Sequence, residues 1–147
     1  MRVTGLLRSG RLAVAVLALS ACSVFEAPKP TEHTAVIKPG RWGEVYRGGA
    51  VSAVAVNGVD PGWRLRADLQ VAPGDLSARI DVFLCTGGAT PCNNVIAASE
   101  VRFRAEAGRV YRPHARERVN GSNRFWIWVE DDATGEAVGG DVSRSQP

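Results

Sequence analysis

The chain has 147 residues, 45% of them hydrophobic and 22% charged, which suits one compact domain with short appendages rather than a disordered chain. Its net charge of +3 is misleading. Arg2, Arg8 and Arg11 lie before Cys22 with no acid beside them, and removing these three of the 18 basic residues leaves 15 against 15 acids. A balanced remainder argues against bulk attraction to nucleic acid.

In chain order, the arginine-bearing start is followed by the apolar run Leu12–Leu19 and the small residues Ser20 and Ala21. Eight apolar residues fall far short of the roughly 20 that a helix needs to cross a bilayer. A positive start, a short apolar run and a small-residue end are the plan of a cleaved export signal.

Leu19-Ser20-Ala21-Cys22 is similar to the lipobox of bacterial lipoproteins. The resemblance implies removal of residues 1–21, diacylglycerol on the Cys22 sulfur and acylation of the new amino group. It places the protein in the cell envelope with the membrane as its first partner; Ser23, where aspartate would signal inner-membrane retention, implies the outer membrane, facing the periplasm. Two or more acyl chains anchor stably where one gives only marginal binding. Residues 22–33 carry Pro28 and Pro30 and read as a semi-extended tether, with His33 a solvated linker residue.

Residues 34–147 read as a single domain. Its two cysteines, Cys85 and Cys92, are expected to pair in an oxidising compartment and to staple a loop of about eight residues, worth roughly 2.5 kcal/mol. Their spacing fits neither a zinc site nor a C-x-x-C redox motif.

From Thr34 on the periodicity is two. Ala50–Val56 is an apolar strand that ends on the turn pair Asn57-Gly58. Arg64–Val71 alternates strictly, and Leu76–Leu84 repeats the pattern with Leu76, Ala78, Ile80, Val82 and Leu84 on one face. Ala72-Pro73-Gly74-Asp75 between them reads as the turn of a β-hairpin. Further strands are expected at Glu100–Ala105, with Val101, Phe103 and Ala105 inward, at Arg109–Arg118 after an Ala107-Gly108 turn, and at Arg124–Glu130 after an Asn120–Asn123 turn. Asp131–Gly135 turns the chain towards a short edge strand at Glu136–Val138. No window carries a convincing amphipathic helix. The expectation is an all-β antiparallel β-sandwich, or a small barrel, of about six or seven strands.

The segments Val56–Asp60, Val71–Gly74, Phe103–Tyr111 and Val129–Gly135 are similar to parts of small uncharacterised proteobacterial envelope lipoproteins. Those carry a strand ending near V-D-G, a V-x-P-G hairpin, an F-x-A-x-x-G-x-x-Y hairpin and a closing D-x-x-T-G turn. The resemblance implies the β-fold and no activity.

Chemistry is sparse. There is no G-x-S-x-G, and His114, the one histidine of the domain, has no acid at a motif spacing. Glu130-Asp131-Asp132 with Asp141 lacks EF-hand spacing and reads as a solvated turn. No catalytic residue, metal or cofactor is expected. The residues that suggest binding are Trp126 and Trp128, which share one strand face, and Arg112, His114, Arg116 and Arg118, which fall at one parity and would make a basic stripe. Arg102 and Arg104 would add to a neighbouring stripe. Such a surface suits anionic lipid headgroups, lipopolysaccharide or an acidic partner; the alternatives are core burial for the tryptophans and pairing with Glu100 and nearby acids for the arginines. Trp42 and Trp63 follow glycine-containing turns and are expected to cap the sandwich ends. The function expected is a non-enzymatic, lipid-anchored module that binds an envelope protein or glycan or supports the envelope, with no nucleic-acid partner. The alternatives are a lysozyme-inhibitor-like lipoprotein, whose characteristic motif is not visible, and an envelope hydrolase.

Overall fold

The computed structural model describes residues 28–41, 45, 49–60, 68–84, 94–119 and 122–141. The described residues form an all-β fold of eight strands: β1 (Ala35–Ile37), β2 (Ala50–Val56), β3 (Leu69–Val71), β4 (Gly74–Leu84), β5 (Asn94–Ala105), β6 (Val110–Glu117), β7 (Phe125–Asp131) and β8 (Ala137–Gly140). They make two facing sheets, one in the order β3-β1-β6-β7-β8 and one in the order β2-β4-β5.

Alternation creates the core. Leu76, Ala78, Ile80 and Val82 of β4, Val101, Phe103 and Ala105 of β5, Tyr111 and Ala115 of β6, and Phe125, Ile127 and Val129 of β7 all point between the sheets and are buried. A register shift falls between Val82 and Phe83, both of them buried, and Leu84 is half-buried, so the inward face expected for Leu76–Leu84 ends two residues early, at Val82.

Two connections depart from expectation. Ala72-Pro73 is not a hairpin turn: β3 pairs with β1, whereas β4 pairs with β2 and β5 in the opposite sheet. Gly74 stands at φ +130°, away from the roughly +80° of a type II turn, and the chain crosses between sheets there. The β5–β6 connection crosses in the same way. The phenol oxygen of Tyr111 accepts a hydrogen bond from the Glu106 backbone N–H at 2.8 Å, and its ring lies 5.1 Å from that of Phe103, closing the arch from inside. Among the described strands, only β6–β7 and β7–β8 in the larger sheet, and β4–β5 in the smaller, are sequence-adjacent antiparallel pairs.

One pair is parallel. β1 runs alongside β6, with Val36 opposite Val110 and Ile37 opposite Tyr111. Its three residues are all buried, as expected for a strand covered on both faces. Past Ile37 the chain leaves the sheet: Lys38 N–H donates to Tyr111 O, and Gly40 N–H donates to Val51 O of β2. This departure accommodates Pro113, whose missing N–H lies on the side of β6 that β1 has just left.

The sheets therefore meet where β2 approaches β6 and where β5 approaches β8, and a glycine marks each seam. A Cβ on Gly40 would stand 2.8 Å from Pro113 O and 2.9 Å from Val51 Cβ; one on Gly139 would collide with Arg102 O of β5. Ahead of β1, Thr31 and Thr34 form a bridge, and Gly108 N–H donates to Thr34 O. His33 is exposed beside Glu32.

Candidate functional site

The outer face of the β6–β7 hairpin gathers most of the residues with chemistry. Side chains of even number point outward on both strands, and the register sets them in rows: Arg112 opposite Glu130, His114 opposite Trp128, Arg116 opposite Trp126. One row further on, Arg118 N–H donates to Arg124 O at 2.7 Å.

The rows nearest the start of β6 are neutralised. Glu130 accepts the Trp128 indole N–H at 2.6 Å and stands 3.1 Å from His114 Nε2. The His114 and Trp128 rings stack, 5.5 Å apart and 16° from parallel. Arg112 grips Asp132 with two hydrogen bonds, 2.7 and 3.0 Å, and donates a third to Pro39 O. The Arg112 hydrogen bonds hold the Asp132 carboxyl below its ordinary range, against the opposing effect of partial burial. These contacts fix the tryptophan, the imidazole and the guanidinium in place.

The rows nearest the hairpin end differ. Arg116, Arg118 and Arg124 are exposed. The Arg118 guanidinium lies 3.9 Å from the Trp126 ring centroid, and its Asp141 partner is distant, at 3.9 Å, and 75% exposed. Arg118 and Arg124 also border an open groove, lined by Ala97, Ser99 and Phe125, where β7 runs on past the end of β8.

The expected tryptophan platform is corrected by this arrangement. Trp128 is 8% exposed and occupied by His114 and Glu130, while Trp126 is half-buried beneath Arg118. The expected stripe is likewise split: Arg112 is engaged by Asp132, and only Arg116 and Arg118 face solvent. Arg102 and Arg104 lie on β5 in the other sheet, where Glu100 accepts a hydrogen bond from Ser77. Arg124, Glu130 and Asp132 complete the face; their parity with Trp126 and Trp128 was the available signal.

The acidic turn does not gather a cation site. Glu130 serves His114 and Trp128, Asp131 accepts from the backbone of Ala133 and lies near Arg109, and Asp132 serves Arg112. No group of three potential metal ligands occurs among the described residues. Cys22, Cys85, Cys92, Trp42 and Trp63 lie outside the described residues. No protein-family model, no curated protein and no solved structure matches this chain.

Proposed function

We propose that this protein is a lipid-anchored, non-enzymatic binding module of the cell envelope, tethered through Cys22 to the outer membrane on its periplasmic side, with the outer face of β6–β7 as its working surface. The lipobox-like residues Leu19–Cys22 support the address. One observation carries the binding role: Arg116, Arg118 and Arg124 concentrate exposed positive charge on two successive rows beside Trp126, on a face whose other rows are neutralised. An acidic surface in the envelope is the complementary partner.

The test follows the intact chain in cells. Palmitate label is expected to enter the wild type and not Cys22→Ser. Chemical crosslinking to envelope components is expected to weaken severalfold in Arg116→Glu/Arg118→Glu, with labelling retained. Unlabelled wild type overturns the anchor, and crosslinking indifferent to the arginines overturns the surface.

A second reading rests on His114. A carboxylate 3.1 Å from an imidazole is the orienting half of a general-base pair, the part of an envelope hydrolase's machinery that this face supplies. Peptidoglycan or ester hydrolysis lost in His114→Gln, with the melting temperature maintained, supports it; wild type inert on both substrates removes it.

A further inference from the structure

We propose that the end of the β6–β7 hairpin is a contact site for anionic phospholipid headgroups, with Arg116, Arg118 and Arg124 taking the phosphates, Val119 entering the interface, and Trp126 positioning Arg118. The site deepens the binding role proposed above. Its chemistry does not depend on acylation of Cys22, although its placement relative to the anchor does.

Charge comes first. Arg79, Arg104, Arg109 and Arg112 each sit on a carboxylate within 3.4 Å. Among the described residues, the nearest ion-pair partner at the hairpin end is Asp141, 3.9 Å from Arg118. Three guanidiniums on two adjacent rows repel one another unless an anion joins them, and each near a charged bilayer adds attraction. Arg118 is also pre-oriented. Its guanidinium carbon lies over the Trp126 ring, 3.9 Å from the centroid, a contact that holds the cation at the exposed face where its N–H groups can take phosphate oxygens.

The apolar element selects the kind of anion. Val119 follows Arg118 directly and is 66% exposed, one of the few large hydrophobic side chains so placed. A soluble polyanion offers nothing to an exposed valine. A headgroup layer over acyl chains takes both the cations and the apolar side chain.

Placement agrees. The tether joins the fold at Thr34, hydrogen-bonded to Gly108 just before β6, and the cluster lies at the far end of β6. Eight strand residues span about 26 Å. The nine steps from Cys22 to Thr31 reach about 30 Å when extended. An anchor at Cys22 and a headgroup contact at the hairpin end therefore fit one bilayer, with the outer face of β6–β7 turned towards it.

The experiment uses the full chain carrying Cys22→Ser, which cannot be acylated there. It is sedimented with vesicles of 30% phosphatidylglycerol in phosphatidylcholine, or of phosphatidylcholine alone. The comparison chain adds Arg116→Gln/Arg118→Gln/Arg124→Gln, so the apolar leader contributes equally to both. Preference for the anionic vesicles is expected, falling about a hundredfold in the triple variant and weakening with salt. Val119→Asp and Trp126→Leu are each expected to weaken it severalfold, with melting temperatures that show the variants folded. Equal binding by parent and triple variant overturns the proposal, as does equal binding to the two vesicle types. Full competition by millimolar inorganic phosphate also overturns it, assigning the arginines to a small anion. Palmitate labelling of the unsubstituted chain reads the anchor separately, so failure of the tether and failure of the headgroup contact are told apart.

Discussion

Arg112 and Arg116 stand two residues apart on the same strand and face, yet they do opposite work. Arg112 is held by Asp132 and Pro39, its side chain 17% exposed, while Arg116 faces solvent. Parity in the sequence put both on one face but could not separate them, because the separating residue sits on the turn after β7 and is brought over by register. The pair has a pH signature. Because Arg112 depresses the folded-state pKa of Asp132, the stabilisation is complete above the unfolded carboxyl pKa and is lost as pH falls through the lower, folded one. Asp132→Asn is expected to cost about 1–2 kcal/mol at pH 7, a half-buried charged hydrogen bond discounted for solvent screening. The cost relative to wild type should shrink steadily below the ordinary carboxyl pKa of 3.8. Urea unfolding of both chains at pH 7 and at pH 3 checks it; a gap that widens in acid contradicts the pairing.

At the scale of elements, alternation in Leu76–Leu84 and Glu100–Ala105 was enough to place strands and, Leu84 apart, their inward residues, whereas Arg124–Glu130, apolar on both faces, showed a strand without showing which face was inward. The connections were not legible, and the reason is general. Both sheets bury one face, so a strand leaving for the opposite sheet carries the same period-two pattern as one returning in a hairpin. What distinguishes them is a backbone angle at Gly74 and a phenol placed by Tyr111, neither visible as periodicity. β1 escaped notice because three residues are too few to show a period. The seam glycines have the same character. Gly139 lies in an exposed-looking strand end, yet β8 packs there on β5, where a Cβ would meet a backbone carbonyl that cannot step aside. Gly139→Ala is accordingly expected to cost about 2 kcal/mol by overpacking, lowering Tm by about 10 °C. Thermal unfolding followed by circular dichroism measures this, and an unchanged Tm would show that β8 does not close the sandwich on β5.

Over the whole molecule, the parallel strand ties the chain ahead of it to the core. The chain leads through the Thr31–Thr34 bridge directly into β1, which lies between β3 and β6 with Ala35, Val36 and Ile37 at 0–1% exposure. Burying a valine and an isoleucine contributes about 1.5–3 kcal/mol each, and among the described strands β1 is the one partner of β3. Losing β1 thus removes an amount comparable with the 5–15 kcal/mol by which whole domains are stable. A chain beginning at Lys29 is expected to melt like one beginning at Cys22, and a chain beginning at Lys38 to show no cooperative transition. If the shorter chain melts cooperatively near the same temperature, β1 is an accessory to the fold. If it does not fold, any pull on the chain ahead of Thr31 loads an internal strand rather than a loose tail, and that end of the chain and the outer face of neighbouring β6 belong to one mechanical unit.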